Sequence, residues 1–187
     1  GALSAGLRAG GMGNCGKHYP GHGYVIPDSH VELPVDDRPL AAMQDDLLPY
    51  RRLKLDGVMA AHVIYECVDC NTAVFSNKWI DYLRNDINFD GVVFTDDLSM
   101  AGAGVVGDMV ARVTTAYAAG CDMLLVCNSP DAVGEVLTRW QPVVDPLRTK
   151  RIEALAAVGP QPPSRAQLQD MPRYQAALAT IAALSAT

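Results

Sequence analysis

The chain has 187 residues, of which 49% are apolar and 19% charged, and its formal net charge is −6. This composition is typical of one folded domain, or at most two, and excludes a disordered chain. Nucleic acids and anionic membranes require a basic surface, so we expect neither as a partner. No apolar run approaches the roughly 20 residues that span a bilayer, and no basic signal segment opens the chain. We therefore expect a cytoplasmic protein.

Four short apolar runs are predicted to form β-strands. They lie around residues 14–19, 57–65, 91–97 and 123–128. Their hydrophobicity is continuous rather than alternating, which is typical of parallel strands that are buried on both faces.

Apolar residues at helical spacing follow each strand. They predict helices over residues 40–53, 76–87, 108–119 and 131–140. Pro49 should break or bend the first of these helices. Ser76 can cap the second, and Gly120 is a terminator for the third. Beyond residue 142, proline-rich joints alternate with Ala/Leu helical patterns, and Ser164 can cap the last segment. This tail is predicted to pack on the outside of the domain.

Repeated β-α units predict a parallel α/β fold. Polar residues end all four strands, and they are His18, His62, Asp96 and Asn128. The active site of a (β/α)8 barrel lies at that end of its strands. We interpret the chain as the C-terminal half of a (β/α)8 TIM-type barrel with about four β-α units. The half barrel would span 1–140 and a helical tail 141–187, together one partial catalytic domain. A complete small open sheet is the alternative, but no phosphate-binding fingerprint follows a strand.

Residues 16–30 concentrate titratable side chains on an irregular loop. Glycines and prolines exclude a regular helix here, and polar groups gathered on such a loop indicate a functional site. The cluster consists of Lys17, His18, His22, Asp28 and His30. In an extended loop, Asp28 and His30 would lie within hydrogen-bonding reach, which fixes the imidazole tautomer for proton transfer. A surface loop with an incidental contact is the alternative.

The other members of this cluster have several possible roles. Lys17 and His18 end a predicted strand, where they can donate to a polar ligand such as a sugar hydroxyl or form an ion pair. The three histidines and Asp28 could instead bind zinc, but Pro20 and Gly21 interrupt the spacing. We therefore favour no metal and expect His22 to shape the loop.

Asp96 and Asp97 follow the third predicted strand directly. Adjacent residues point to opposite faces of a strand, so only one of the two can face a cavity easily. A carboxylate held there can act as a nucleophile or base, or bind a metal. The alternative is that one of them only caps the following segment.

The five cysteines are scattered along the chain. Cys67 and Cys70 have the spacing of half a zinc site or a redox pair, but a zinc site would usually need a second close pair. Cys121 and Cys127 instead flank an apolar run. We expect reduced, structural thiols.

Several segments together resemble the bacterial β-N-acetylglucosaminidases of glycoside hydrolase family 3. The family motifs K-H-[FY]-P-G-H-G, D-[ST]-H and F-[ST]-D-D-L-S-M correspond to Lys17–Gly23, Asp28–His30 and Phe94–Met100. The similarity continues through Met59–Tyr65 and Ala119–Asn128, and covers most of residues 10–130.

The resemblance implies a retaining, two-step glycosidase of the peptidoglycan-recycling type. Asp96 would be the nucleophile, and His30 the general acid/base, oriented by Asp28. Lys17 and His18 match residues that hold the N-acetylglucosamine unit. The implied substrate is a terminal β-linked N-acetylglucosamine, chiefly in muropeptides, and no cofactor or metal is implied.

The family's D-x-E-G-G motif and a sugar-binding arginine would precede this stretch, and neither motif occurs in the 187 residues. We therefore expect an incomplete fragment, the C-terminal part of the catalytic domain, that is inactive alone. Two alternatives stay open. One is a non-catalytic sugar-binding or interaction domain on a hydrolase scaffold, and the less favoured one is a metal-dependent hydrolase.

Overall fold

The computed structural model describes residues 1–29, 31–156 and 163–184. Its main sheet is parallel and contains β1 (Cys15–Tyr19), β3 (Gly57–Ala60) and β5 (Val92–Thr95) in the order β1-β3-β5. A second, two-stranded parallel sheet pairs β2 (Val35–Asp36) with β4 (Ile64–Tyr65). The predicted parallel α/β fold is confirmed.

The fourth apolar run, 123–128, does not form the regular strand that its hydrophobicity predicts. It lies beside β5, where the Thr95 amide donates to the Met123 carbonyl over 2.9 Å, but only one parallel bridge forms, between Phe94 and Met123. The Leu125 amide donates to the Thr95 hydroxyl over 2.9 Å rather than to a backbone carbonyl. A side chain thus replaces part of the backbone ladder.

Helices connect the strands and complete the described part of the chain. The α-helices are α1 (Ala2–Ala9), α2 (Gln44–Arg52), α3 (Asn77–Asp81), α4 (Met109–Ala119), α5 (Pro130–Arg139), α6 (Pro146–Glu153), α7 (Arg165–Gln169) and α8 (Pro172–Leu184). Turns of 3-10 helix span Leu40–Met43, Ala73–Phe75 and Ala101–Val106, and a π-helical turn, Tyr82–Asp86, extends α3.

Local signals predicted most helix boundaries correctly. The Ser76 hydroxyl accepts from the Trp79 amide at the start of α3, and Ser164 forms a capping box with Gln167 at α7. Gly120 ends α4 in the left-handed conformation, with φ of 113°, which favours glycine. The prediction that Pro49 breaks the helix was wrong, because α2 continues through Pro49 to Arg52.

An aromatic cluster forms the core beneath the end of β1. Trp79 is fully buried, and its ring packs edge-on against Tyr19, Tyr65 and Tyr82 at centroid distances of 5.9, 5.5 and 5.8 Å. The Tyr19 hydroxyl also donates to the Trp79 carbonyl over 3.0 Å. Truncation of a buried tryptophan costs about 3–5 kcal/mol. This cluster therefore fixes the strand end that carries Lys17 and His18.

The tail helices differ in how they contact the rest of the molecule. In α6, Arg151 forms an ion pair with the buried carboxylate of Asp122 over 2.6 Å, and Arg84 binds the same carboxylate over 2.7 Å. These ion pairs hold α6 against the rest of the described chain. In contrast, every residue of α8 is exposed, and the packing of the tail on the outside of a barrel stays a prediction.

All five cysteines are present as free thiols. Across 1–29, 31–156 and 163–184, none of the helices is long and apolar enough to cross a membrane.

Candidate active site

A cavity of about 350 Å³ opens at the carboxyl ends of β1 and β5. The residues that line it are Lys17, His18, His22, Asp28, Ser29 and Asp96. Four of the five residues that the sequence singled out as catalytic or substrate-binding thus meet in one place. The fifth, His30, lies outside the described residues.

The end of β1 brings both Lys17 and His18 to this cavity. Its pairing with β3 shifts register between Lys17 and Tyr19, and such an irregularity redirects side chains relative to a regular pleat. The Lys17–His18 and Tyr19–Pro20 peptide bonds are both cis. The side chains of Lys17 and His18 both line the cavity.

Asp96 follows β5 and faces His18 across the cavity. Its Oδ2 atom lies 3.4 Å from Nε2 of His18, and the carboxylate is 15% exposed. The amide of Asp97 donates to Oδ1 of Asp96 over 2.8 Å, while the amide of Asp96 donates to the Ala60 carbonyl of β3. These contacts fix the carboxylate at the edge of the sheet.

Asp97 has a different environment from Asp96. It is almost fully buried, and its carboxylate accepts four hydrogen bonds, from the amide and hydroxyl of Ser99, the amide of Cys127 and the side chain of Asn128. Burial tends to raise the pKa of Asp97, but these hydrogen bonds outweigh it, and the pKa lies below its usual value. Asp97 thus connects the end of β5 to the run 123–128.

His62 lies behind the two aspartates and is fully buried. Its Nε2 atom donates to the Asp97 carbonyl over 3.0 Å, while Nδ1 has no partner among the residues that the structure describes. Burial lowers the pKa of His62, which keeps the imidazole neutral near pH 7. Sequence reasoning placed His62 at a strand end but assigned it no role, although it belongs to the segment Met59–Tyr65 that carried the resemblance.

The loop after β1 is fixed by contacts that the sequence did not indicate. The buried Tyr65 donates its hydroxyl to the Gly21 carbonyl over 2.8 Å. Across the loop, Nε2 of His22 lies 3.1 Å from the hydroxyl of Ser29. Sequence reasoning gave a loop-shaping role to His22 but none to Ser29, because partners so far along the chain leave no local signal.

In the described segments, no group of three or more His, Cys, Asp or Glu side chains is arranged to hold a metal ion. Cys67 and Cys70 lie in these segments and belong to no such group. The thiol of Cys67 instead contacts the sulfur of Met43 at 3.7 Å, and Cys70 contacts the carboxylate of Asp69.

The fold and the cavity define an α/β protein whose polar site lies where the parallel strands end. Residues 1–157 match the family described as glycosyl hydrolase family 3 N terminal domain. The chain therefore belongs to glycosyl hydrolase family 3.

Curated relatives and solved structures agree with this assignment. The chain is 50% identical over 188 residues to a beta-hexosaminidase of Aromatoleum aromaticum, covering 98% of the chain and 52% of the relative. It is 51% identical over 160 residues to a beta-hexosaminidase of Chromobacterium violaceum, covering 83% of the chain and 45% of the relative. The chain thus spans about half the length of these curated relatives.

Among solved structures, NagZ from Neisseria gonorrhoeae in complex with N-trifluoroacetyl-D-glucosamine superposes with a TM-score of 0.84 at 40% identity. That match covers 100% of this chain and 55% of the NagZ chain. The same protein in complex with a zinc ion gives a TM-score of 0.80 at 37% identity, covering 98% and 53% of the two chains.

Proposed function

We propose that the chain forms the C-terminal half of the catalytic (β/α)8 barrel of a retaining β-N-acetylglucosaminidase. The observation that carries the proposal is the meeting of His18 and Asp96, 3.4 Å apart, in a cavity that Asp28 also lines. Family membership and relatives named beta-hexosaminidase support the same reaction class. The helical tail, 141–187, would belong to the same domain without contributing to catalysis.

Asp96 would act as the nucleophile. In the first step its carboxylate attacks the anomeric carbon, the glycosidic C–O bond breaks, and His30 gives a proton to the departing oxygen. In the second step His30 removes a proton from water, the water oxygen attacks the same carbon, and the bond to Asp96 breaks. Two displacements at one carbon retain the β-configuration.

The environment of Asp96 suits this role better than that of Asp97. Asp96 borders the cavity, and Oδ1 is oriented by a hydrogen bond from the Asp97 amide. Asp97 has its carboxylate committed to four donors, so it would have to break a network before reacting. Orientation of a nucleophile before the reaction lowers the barrier of the chemical step.

A histidine as acid/base is physically reasonable beside Asp96. Most retaining glycosidases use two carboxyl groups, and two carboxylates repel each other when both are ionised. An imidazole carries no negative charge in either protonation state and so avoids that repulsion. It would be the imidazolium when it gives its proton in the first step, and the neutral imidazole that this leaves would take a proton from water in the second. Asp28 would hold its tautomer and stabilise the imidazolium.

Lys17 and His18 would donate hydrogen bonds to the sugar. The side chains border the same cavity as Asp96, and ammonium and imidazole N–H groups are donors that suit hydroxyl oxygens. The NagZ structure with N-trifluoroacetyl-D-glucosamine supports an N-acetylglucosamine unit as the ligand. The proposed substrates are muropeptides with terminal β-linked N-acetylglucosamine, recycled in the cytoplasm, and no cofactor is required.

The coverage of the relatives and the topology support the proposal of a half barrel. Three parallel strands with polar residues at their ends span a chain that corresponds to about half of each curated relative. The D-x-E-G-G motif and the additional arginine would lie in the other half. We therefore expect residues 1–187 alone to be inactive.

The test measures turnover of a chromogenic β-N-acetylglucosaminide by the full-length protein that contains this chain. Asp96→Asn should lower kcat by at least about 10³-fold, and His30→Ala by about 10²–10⁴-fold. Asp90→Asn, an exposed carboxylate two residues before β5, is the matched control and should leave kcat unchanged. Binding of N-acetylglucosamine without turnover would instead favour a non-catalytic sugar-binding domain.

A further inference from the structure

Ser29 is held on two sides, although it lies in an exposed loop. It is 3% exposed, and its hydroxyl lies 3.1 Å from Nε2 of His22. Its carbonyl accepts a hydrogen bond from the amide of Gly102 over 3.3 Å. Ser29 stands between Asp28 and His30 in the chain, so these contacts act on the backbone that carries both residues.

The contact with Gly102 is close, so that a larger residue at this position would crowd the loop backbone. A Cβ atom at this position would lie 3.1 Å from the Ser29 carbonyl oxygen and 3.1 Å from Cβ of His62. The loop backbone therefore rests directly on the 3-10 turn Ala101–Val106, which follows the Asp96–Asp97 segment. The 3-10 turn thereby supports the loop.

The contact with His22 connects Ser29 to the side of the cavity that the end of β1 forms. His22 follows Gly21, whose carbonyl is bonded to the buried Tyr65, and the rings of His18 and His22 pack edge-on at 6.0 Å. The His22 ring is therefore placed by the same strand end that presents His18. Its bond to Ser29 fixes the loop relative to the residues proposed to bind the sugar.

Other residues of the loop are more exposed than Ser29. Ile26 is 98% exposed and Val31 is 73% exposed, the Tyr24 ring packs on the guanidinium of Arg38, and Val25 packs partly buried against the core. The amides of Val31 and Glu32 both donate to the Asp28 carbonyl over 3.0 Å. Ser29 thus attaches this part of the loop to His22 and to the 3-10 turn Ala101–Val106.

We propose that Ser29, held by His22 and Gly102, is a positioning residue that holds the backbone of Asp28 at the cavity, and that proton transfer to the glycosidic oxygen depends on this support. This proposal rests on the function proposed above. A general acid works only within hydrogen-bonding reach of the leaving oxygen, and a displacement of about 1 Å can cost about 10²-fold in rate. The nucleophile Asp96 is held by β5 and does not depend on this contact.

The proposal predicts a defect that depends on the leaving group. A poor leaving group such as phenoxide needs protonation as its bond breaks, whereas 2,4-dinitrophenoxide departs with little help. In the full-length protein, Ser29→Ala should therefore lower kcat/KM for the phenyl β-N-acetylglucosaminide at least about tenfold more than for the dinitrophenyl one. His22→Ala should give the same pattern, and the double variant should lose no more than the more damaging single variant.

Conservative variants separate positioning from general destabilisation. Ser29→Thr keeps the hydroxyl and should retain the wild-type ratio between the two substrates. Ser29→Cys keeps the size but weakens the hydrogen bond, so it should show the alanine pattern even if the alanine variant fails to fold. Ser4→Ala, on α1 and outside the lining of the cavity, is the matched control.

The results separate this proposal from the proposed function. If wild-type full-length protein cleaves neither substrate, the proposed function is wrong. If wild type cleaves both, and the alanine and cysteine variants of Ser29 keep the wild-type ratio, then Ser29 does not position the acid/base and this inference is overturned.

Discussion

Asp96 and His18 meet at 3.4 Å although β3 separates the strands that carry them. Neighbouring strands lie about 4.8 Å apart, so these side chains reach towards each other over the end of β3. His62, just beyond β3, stays beneath them and bonds to the Asp97 carbonyl. The ends of three strands therefore build one polar site in two layers, with the cavity above and His62 and Asp97 below.

The two adjacent aspartates should respond differently to the same substitution. Asp97→Asn places an amide group among four hydrogen-bond donors, so we expect the free energy of unfolding to fall by about 1.5–3 kcal/mol. Asp96→Asn should change it by less than about 0.5 kcal/mol while abolishing turnover. Urea unfolding of the full-length variants measures both values. Equal stability of Asp97→Asn and wild type would contradict the structural role of Asp97.

Asp97 also predicts a pH dependence of stability. Its pKa is lower in the folded protein than in the unfolded chain, so the unfolded chain takes up the proton first as pH falls. The stabilisation is fully present above about pH 4 and is lost as pH falls further through the folded pKa. The acid limb of a stability–pH curve should be flatter in Asp97→Asn than in wild type. Identical limbs would show that Asp97 does not contribute.

We expect His62 to stabilise the fold through the hydrogen bond that its Nε2 atom donates to the Asp97 carbonyl. His62→Phe leaves the Asp97 carbonyl without its hydrogen bond, and we expect a loss of about 1–3 kcal/mol in the free energy of unfolding. His62→Gln can present an Nε2 donor and should lose less. Because burial lowers the pKa of His62 in the fold, its contribution is present above about pH 6.5 and is lost as pH falls through the folded pKa. If glutamine and phenylalanine are equally destabilising, the hydrogen bond is not the cause.

Asp122 should determine the attachment of α6. Its buried carboxylate pairs with Arg84 and Arg151, so Asp122→Ala leaves a partly buried guanidinium uncompensated, and we expect a loss of about 3–5 kcal/mol. Asp145→Ala removes the cap of the same helix and an exposed ion pair with Arg148, and should cost about 0.5–2 kcal/mol. Thermal unfolding followed by circular dichroism compares the two. The account of α6 fails if the capping variant is the less stable one.

Turnover should be independent of a bound metal. Dialysis of the full-length protein against a chelator should leave kcat for the chromogenic substrate unchanged, because the proposed steps use only carboxylates and an imidazole. Elemental analysis before and after dialysis verifies that any metal was removed. Loss of activity that zinc restores would favour the metal-dependent hydrolase.

The parts of the fold that local sequence encodes were predictable. The run before Asp96 is short and apolar, and Ser76 and Gly120 carry cap signals in their own immediate neighbourhood. The irregular structure of the run 123–128 was not predictable. It depends on the hydrogen bond that the Leu125 amide donates to the Thr95 hydroxyl, which the sequence does not indicate.

The candidate site was predictable in its residue types but not in its supports. Lys17, His18 and Asp28 stood out as titratable groups on a loop, and all three border the cavity. Ser29 and Tyr65 did not stand out, because a serine and a buried tyrosine resemble ordinary structural residues. The partner of Ser29 is His22, 7 residues away in the chain, and the partner of Tyr65 is Gly21, 44 residues away.

The central claim is that Asp96 forms a covalent glycosyl intermediate. The most direct test incubates the full-length protein with a 5-fluoro-N-acetylglucosaminyl fluoride, which slows the second step, and then locates the adduct by peptide mass spectrometry. The account predicts one sugar per protein, attached to Asp96. An adduct on Asp97 or on another carboxylate, with Asp96 unmodified, would contradict it.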